Sequence, residues 1–340
     1  MVFTLVPSLA SWLSFFMLGV GIFWSLCSAS IFGAWVAMEL SFIGVVGLLG
    51  GSSYDESESL VKYFVVQVIG SSLLMASIVF LLSGCFLSLV EVVFLLGLFL
   101  KLGLFPFHFW VPSVMSGLTW LGCFIVSVVQ KIIPMWFLAN FCISSFGFSM
   151  VEFSSVLTCL MGCVGGLMVL HFRVLLGYSS LVHMGFMAMM SLESMISFFV
   201  YYIVYFIVNA GLMLSLWCVS VYSFFDLLKS KNGNSFVWIS LYLLSLAGVP
   251  PFVGSFVKVV FLLKVWSVFP MICVVLLVSS AVSMFFYLSF FMGLYFSLGG
   301  SFFVSNYSFG LMSKNFTLLL MSLVINVVVS IVLFSMVGLM

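Results

Sequence analysis

Charged side chains are scarce in this sequence: nine Lys and Arg and eight Asp and Glu make up 5% of the 340 residues. A soluble domain of this size with 65% hydrophobic residues would not stay dispersed with so few charges. The net charge of +1 also gives no electrostatic reason to expect nucleic-acid binding. The scarcity of charge therefore predicts a polytopic membrane protein.

Motifs for nucleotide and metal binding are missing as well. The sequence has no Gly-x-x-x-x-Gly-Lys-[Ser/Thr] loop and no glycine-rich loop after a strand, so nothing predicts an ATP or dinucleotide site. The eight cysteines are scattered without a Cys-x-x-Cys pair, and the closest two, Cys159 and Cys163, are one helical turn apart. This spacing favours buried structural cysteines over metal or iron–sulfur ligands.

The sequence does contain long apolar stretches. A membrane-spanning helix needs about 20 apolar residues. Eleven stretches meet this need: 6–27, 31–50, 61–84, 88–115 (interrupted), 118–143, 151–170, 174–190, 194–222, 236–265 (interrupted), 268–298 and 316–339. Because the linkers are short and none is low-complexity, the sequence predicts one all-α transmembrane domain over residues 1–340.

Basic residues in the linkers predict the orientation of the chain. Alternate assignment of the linkers to the two sides of the membrane places five peripheral basic residues on the side of the N-terminus: Lys62, Arg173, Lys229, Lys231 and Lys314. Cytosolic and matrix loops carry an excess of Lys and Arg. We therefore expect the N-terminus on the cytosolic or matrix side and the C-terminus on the other side.

Four charged residues lie well inside the predicted spans: Glu39, Lys101, Lys131 and Lys258. Each costs roughly 2.5–3.5 kcal/mol at a helix centre on insertion scales. Together they cost ~10 kcal/mol or more, which is as large as a typical net folding stability. Intramembrane charges at this cost indicate a functional site.

Two of these four charged residues lie next to the interruptions in the predicted spans. Lys101 precedes Gly103 and Pro106, whereas Lys258 follows the Gly- and Pro-rich stretch 248–254. A break exposes backbone groups that lipid cannot satisfy, so it survives only where it is buried in protein or faces water. Paired interrupted helices are typical of transporters with an internal repeat and a site near the bilayer midplane.

The chemistry of these residues favours proton movement. A low dielectric favours the neutral form of a lysine, and a nearby carboxylate favours the ammonium. We expect Glu39 and Lys101 to lie close enough to couple, so that a movement of Glu39 would switch Lys101 between neutral and charged. Lys131 would then pass a proton towards Lys258 through water or through His183, because histidine titrates near neutral pH.

Structural alternatives stay open for the same residues. Glu39 and Lys101 could form a static ion pair, although such pairs stabilise proteins poorly. The other two lysines have no obvious acidic partner in the predicted spans, which weakens a purely structural role. His183 could be a hydrogen-bonded core histidine. We expect His108 to be structural and to bond backbone groups freed by the first break.

A family resemblance rests on six stretches between residues 35 and 258. They are Trp35-Val-Ala-Met-Glu39-Leu, Lys62-Tyr-Phe-Val-Val-Gln67, Lys101-Leu-Gly-Leu-Phe-Pro-Phe-His-Phe-Trp110, Gln130-Lys131-Ile-Ile-Pro134, Tyr178-Ser-Ser-Leu-Val-His183-Met-Gly, and Leu244-Ser-Leu-Ala-Gly-Val-Pro-Pro251 through Lys258. In this order they resemble the subunit 2 family of mitochondrial NADH dehydrogenase, antiporter-like membrane subunits of respiratory complex I, in its short animal form.

The resemblance implies a fold and a function. The fold would be eleven transmembrane helices, arranged as two inverted five-helix repeats plus a terminal helix, in the mitochondrial inner membrane with the N-terminus in the matrix and the C-terminus in the intermembrane space. The function would be proton translocation through Glu39, Lys101, Lys131 and Lys258, coupled to quinone reduction elsewhere in NADH:ubiquinone reductase. His183 is a possible further relay residue.

The resemblance also implies partners and leaves alternatives. Partners would be membrane lipid and other membrane-arm and accessory subunits. Flavin, iron–sulfur clusters and ubiquinone would belong to partner subunits, with no cofactor in this chain. Two other functions remain: a subunit of a cation/proton antiporter of the same superfamily, which sodium-sensitive transport would reveal, or a non-pumping structural spacer, which would tolerate neutralised lysines.

Overall fold

The computed structural model describes an all-helical chain in residues 9–51, 53–84, 87–141, 144–224, 226, 233–302, 322, 324–331 and 335. An isolated β-bridge between His171 and Ser223 is the one extended pairing within these residues. The chain divides into two compact units, Met1–Ser154 and Ser155–Met340. The prediction of an all-α fold is confirmed for the described residues, while the single domain over 1–340 stays a prediction.

Each unit is a set of helices joined by short connections. The helices of the first unit are α1 (Leu9–Cys27), α2 (Ile31–Leu49), α3 (Tyr54–Leu82), α4 (Leu87–Leu102), α5 (Trp110–Gly117), α6 (Trp120–Ser127) and α7 (Ile132–Phe141), with a 3-10 turn at Val129–Lys131. Helix α8 (Ser145–Gly166) contains the boundary between the units. The second unit has α9 (Phe172–Glu193), α10 (Met195–Val219), α11 (Gly233–Ala247), α12 (Val253–Val265), α13 (Pro270–Phe302) and a π-helix at Val324–Val328.

The helices correspond in part to the eleven predicted spans, whose number stays a prediction. Eight helical spans in the described residues are long and apolar enough to cross a membrane. Both predicted interruptions are present, since 88–115 is α4 and α5, and 236–265 is α11 and α12. The sequence missed a third interruption, because the 3-10 turn separates α6 from α7 within 118–143. The predicted span 316–339 falls largely outside the described residues, as do Lys229, Lys231 and Lys314.

Hydroxyl side chains begin several helices by accepting a free backbone N–H. Oγ of Ser30 accepts from the N–H of Gly33 at the start of α2, at 3.1 Å. Oγ of Ser53 accepts a backbone N–H at the start of α3, and Oγ1 of Thr119 accepts one at the start of α6, with 3.3 Å between nitrogen and oxygen in each bond. The first turn of α3 also carries two acidic residues. Polar side chains in the linkers therefore fix where these apolar helices begin.

Glycine allows α1 and α2 to pack at backbone distance. A Cβ placed on Gly44 of α2 would lie 2.7 Å from the backbone N of Leu18, and one on Gly21 of α1 would lie 2.7 Å from the backbone N of Ser41. Small residues at such crossings let transmembrane helices approach closely. The tight crossing fixes α2, which carries Glu39.

Helix α9 lies at the centre of the second unit. It is the most buried of the apolar spans in the described residues. Helices α10, α12 and α13 pack against it. A Cβ on Gly185 of α9 would lie 2.6 Å from the backbone oxygen of Ser155, so α8 also approaches its backbone. His183 is therefore held inside the second unit.

Candidate functional site

Glu39 and Lys101 form an ion pair inside the first unit. Nζ of Lys101 lies 2.8 Å from Oε1 of Glu39. The lysine side chain is 2% exposed and the glutamate side chain is 23% exposed. The prediction that they lie close enough to couple is confirmed, whereas their depth in the membrane stays a prediction. A carboxylate in contact stabilises the ammonium that burial alone would disfavour.

Helix α3 positions both partners of this ion pair, because it packs against α2 and against α4. Nε1 of Trp35 on α2 donates to the carbonyl of Ser71 on α3 at 3.3 Å. On the other side of α3, a Cβ on Gly70 would lie 2.9 Å from Cγ of Lys101. Gly70 therefore leaves room for the stem of the lysine, a role that sequence reasoning missed.

Two side chains donate hydrogen bonds to backbone carbonyls at the break after α4. The sequence did not single them out for this role. Gly103 ends the helix with a φ of 75°. Nε1 of Trp110 donates to the carbonyl of Leu100 at 3.0 Å, and Nε2 of Gln67 donates to the carbonyl of Lys101 at 3.4 Å. These are carbonyls near the end of α4 that its broken ladder leaves available.

His108 bonds a backbone group at the first break, as expected, but not through Nδ1. The buried side chain hydrogen-bonds the backbone of Pro106, whereas Nδ1 has no hydrogen-bond partner. The ring packs beside Phe109, with 3.9 Å between the centroids. An indole, an amide and this imidazole therefore bond backbone groups around the break.

Lys131 lies in the 3-10 turn between α6 and α7 and is 2% exposed. Its neighbour Gln130 donates from Nε2 to the carbonyl of Ser41 on α2, at 3.3 Å. Ser41 is two residues beyond Glu39. The structure therefore ties the segment of Lys131 to the helix of Glu39, and both belong to the first unit.

Lys258 is held by a backbone carbonyl. Its Nζ donates to the oxygen of Ala247, the last residue of α11, at 2.7 Å. Gly248 follows with a φ of 74° and so ends the helix. The carbonyl at the end of a broken helix thus solvates the ammonium of Lys258.

Two glycines allow α11 and α12 to approach closely at the second break. A Cβ on Gly248 would lie 2.6 Å from Cε and 2.8 Å from Nζ of Lys258. A Cβ on Gly254, in the first turn of α12, would overlap the carbonyl oxygen of Ser245 on α11. The close return of α12 onto α11 places Lys258 beside the end of the preceding helix.

His183 is hydrogen-bonded within the second unit. Its Nδ1 lies 2.8 Å from the hydroxyl of Tyr201 on α10, and its ring centroid is 4.8 Å from that of Tyr205. This bond is what a core histidine requires, and it also leaves a titratable ring among polar groups. Both interpretations of His183 therefore stay open, and its role in a relay stays a prediction.

No group of three or more His, Cys, Asp or Glu residues in the described part of the chain could hold a metal ion. Four of the described cysteines are buried: Cys123, Cys159, Cys163 and Cys273. Cys159 accepts from Oγ of Ser279 at 3.0 Å. Burial and this bond agree with the structural role predicted for such cysteines.

The three lysines have different surroundings. Lys101 is buried and paired with a half-buried carboxylate, Lys131 is buried in a 3-10 turn, and Lys258 is half-buried against a backbone carbonyl. A lysine can bind or release one proton, so the three side chains are titratable groups. The contacts of Lys101 and Lys258 offset part of the cost of placing charge among apolar helices.

Sequence comparison finds relatives along most of the chain. Residues 28–286 match the family described as NADH:quinone oxidoreductase/Mrp antiporter, TM. The chain is 31% identical over 270 residues to NADH-ubiquinone oxidoreductase chain 2 of Lumbricus terrestris, which covers 77% of this chain and 80% of that protein. It is 32% identical over 282 residues to the chain 2 protein of Myxine glutinosa, with 79% and 81% covered.

Comparison with solved structures shows the same fold. A chain of respiratory complex I from Thermus thermophilus with bound aureothin has a TM-score of 0.75 at 18% identity, covering 94% of this chain and 77% of that one. A chain of the Mrp complex from Dietzia sp. DQ12-45-1b has a TM-score of 0.70 at 16% identity, covering 82% and 59%. At these identities the likeness concerns the fold.

Proposed function

The chain belongs to the NADH-ubiquinone oxidoreductase chain 2 family, and from this membership we infer that it is a proton-translocating membrane-arm subunit of respiratory complex I. It acts beside other membrane-arm and accessory subunits. As part of an H⁺-translocating NADH:ubiquinone reductase it moves protons, while flavin, iron–sulfur clusters and ubiquinone react in partner subunits. No cofactor is assigned to this chain.

The observation that carries the proposal is the ion pair of the half-buried Glu39 and the buried Lys101, 2.8 Å apart beside a broken helix. In contact, the carboxylate holds a proton on Lys101. If Glu39 moves away, the low dielectric favours release of that proton. At about 15 Å and an effective dielectric of ~20 the coupling falls to roughly 1 kcal/mol, so a movement of this size would switch the lysine.

The remaining site residues extend this switch into a relay. Lys131 receives the proton, since its segment is bonded to the helix of Glu39 through Gln130. Lys258 is the next acceptor, reached through water or through His183. The carbonyl of Ala247 supports the charged form of Lys258 without itself titrating. Quinone reduction elsewhere in the complex drives the movements.

The proposed architecture follows from the two breaks. Each has a positive-φ glycine directly after a helix end, at Gly103 and at Gly248. This shared feature supports a relation between the two breaks. Together with the spans counted in the sequence, it leads us to propose two inverted five-helix repeats plus a terminal helix, eleven spans in one domain. We place the chain in the mitochondrial inner membrane, with the N-terminus in the matrix and the C-terminus in the intermembrane space.

The likeness to a chain of an Mrp complex keeps a cation/proton antiporter as the second candidate. The relatives at 31% and 32% identity favour complex I. Sodium-sensitive transport by the chain, without redox-active partners, would favour the antiporter. A structural spacer would be favoured if neutralising the buried lysines left coupling unchanged.

Lys131→Met tests the proposed relay. We expect the assembled complex to keep electron transfer in part and to translocate fewer protons per electron, because the substitution removes the titrating group while filling similar volume. The measurement is the proton-to-electron ratio in sealed vesicles. Lys264→Met, at an exposed lysine of α12, is the control and should leave the ratio unchanged. A normal ratio in assembled Lys131→Met complex would defeat the relay.

A further inference from the structure

A buried hydroxyl of the first unit has no partner for its hydrogen bond. Tyr63, on α3, is 1% exposed. Its hydroxyl forms no hydrogen bond to the described residues. Most buried polar groups are bonded, because a group removed from water without a partner destabilises the fold. An unused donor at this position is therefore a feature that a functional role can explain.

Tyr63 lies on the face of α3 that holds Lys101. Gln67 and Gly70 follow it by four and seven residues, a spacing that puts the three residues on one helix face. Nε2 of Gln67 donates to the carbonyl of Lys101 at 3.4 Å, and a Cβ on Gly70 would lie 2.9 Å from Cγ of the same lysine. The phenol is therefore next to the lysine along this face.

Two aromatic rings hold the phenol between the helix of Glu39 and the first break. The ring centroid of Tyr63 lies 5.9 Å from that of Phe42 on α2 and 6.0 Å from that of Trp110 on α5. Phe42 is three residues after Glu39, so both lie on one face of α2. The carboxylate of Glu39 interacts electrostatically with the phenol. The ring is thus fixed against the turn of α2 that follows Glu39.

The two indole donors around the ion pair are already used. Nε1 of Trp35 and Nε1 of Trp110 donate to backbone carbonyls, at 3.3 and 3.0 Å. A carboxylate that leaves Lys101 would become a partly buried charge, and such a charge needs hydrogen bonds. A phenol O–H is a suitable donor, because hydrogen bonds to ionised groups are stronger than those between neutral groups. The hydroxyl of Tyr63 is a donor beside the pair that no such bond occupies.

We propose that Tyr63 is a positioning residue for Glu39: after the carboxylate leaves Lys101, the hydroxyl of Tyr63 donates a hydrogen bond to it. The inference rests on the proposed function, because it supplies the second position that the switch requires. The phenol keeps its proton throughout, and the proton released by Lys101 goes to the next acceptor. In the ion-paired state the hydroxyl lacks its partner, and in the second state Lys101 lacks the carboxylate. Since each state leaves one group without its partner, both states stay accessible.

Tyr63→Phe tests this role, because it removes the hydroxyl and keeps the ring between Phe42 and Trp110. The loss of a hydrogen bond to a charged group should shift the equilibrium towards the ion pair by roughly tenfold or more. We expect a lower proton-to-electron ratio in the assembled complex at unchanged or slightly higher thermal stability, since the lost hydroxyl had no partner in the ion-paired state. Tyr287→Phe removes a buried hydroxyl of the second unit and should leave the ratio unaltered. Lower stability at a normal ratio in Tyr63→Phe would show a merely structural role and overturn the inference.

The position of Glu39 provides the second measurement. Electron cryo-microscopy maps of the complex during turnover should show the carboxylate at Lys101 in some particles and within hydrogen-bond distance of the Tyr63 hydroxyl in others. In Tyr63→Phe only the ion-paired position should remain. A wild-type complex in which the carboxylate never approaches Tyr63 would contradict the inference, even if the variant does not assemble. Failure of the proposed function would appear differently, as a normal ratio in Lys131→Met, whereas a lowered ratio there with a normal ratio in Tyr63→Phe would reject the inference alone.

Discussion

Lys101 and Lys258 adjoin similar helix breaks but have different partners. Lys101 precedes its break and contacts a carboxylate from another helix, whereas Lys258 follows its break and contacts the carbonyl that the break frees. The carbonyls near the first break are bonded by an indole and an amide, so they are not left for Lys101. A carboxylate that moves can change the charge of its lysine, but a fixed carbonyl dipole gives a constant environment. Under the proposed function, Lys101 would act as the switch and Lys258 as an acceptor.

Replacement of Glu39 should have the largest effect on pumping, because it removes the carboxylate that distinguishes the environment of Lys101 from that of Lys258. Glu39→Gln removes the charge, and leaving Lys101 as an unpaired ammonium would cost about 3–5 kcal/mol, so the lysine should lose its proton instead. We expect most of the pumping to be lost. Glu39→Asp keeps the charge on a shorter side chain and should therefore keep part of the pumping. The proton-to-electron ratio of the assembled complex measures both.

Glu91→Gln is the control for this substitution. Glu91 is a half-buried carboxylate of the first unit that accepts from the backbone N–H of Ser144 at 3.1 Å. Its change should lower stability and leave the ratio unaltered. Equal loss of pumping in Glu39→Gln and Glu91→Gln would show that the ratio reports general damage and not the ion pair.

Gly248→Ala tests the carbonyl arrangement of the second unit. The φ of 74° strains any residue with a Cβ by roughly 1–2 kcal/mol, and the new methyl group would displace Nζ of Lys258 from the Ala247 carbonyl. We expect lower thermal stability together with a reduced proton-to-electron ratio. Gly84→Ala is matched, because Gly84 has a φ of 70° with open space around its Cβ position. If Gly84→Ala lowers the ratio as much, backbone strain and not Lys258 is responsible.

The sequence predicted much of this site and missed its contacts across helices. The cost of placing a charge in a membrane identified the four charged residues within the predicted spans, and Gly and Pro located two breaks, because both features are local in the chain. The bond of Lys258 to Ala247 joins residues eleven apart and exists only because α12 folds back onto α11. The roles of Trp110 and Gln67 likewise depend on which side chains reach the freed carbonyls after packing, and no pattern in the sequence specifies that.

Gly70→Ala should have a smaller effect on the first unit. Its methyl group would lie 2.9 Å from Cγ of Lys101, so the flexible stem must shift by a few tenths of an ångström. We expect a partial fall in the proton-to-electron ratio with nearly normal assembly. Gly97→Ala adds a methyl group at the same crossing of α3 and α4, where it meets Cγ of Leu74 at 2.9 Å. A fall of equal size in Gly97→Ala would assign the effect to helix packing and not to the lysine.

Trp110→Phe should have the smallest effect, and it tests whether the carbonyls of the first break take part in the switch. The change keeps an aromatic ring but removes the donor to the Leu100 carbonyl, a loss of about 1 kcal/mol for one hydrogen bond. Since Lys101 is bonded to Glu39 and not to this carbonyl, the thermal stability of the complex should fall slightly while its proton-to-electron ratio stays at the wild-type value. Trp24→Phe, at an exposed indole on α1, provides the baseline for losing an indole. A clear loss of pumping in Trp110→Phe alone would mean that the freed carbonyl competes with Glu39 for the ammonium, and the two units would then hold their lysines in the same way.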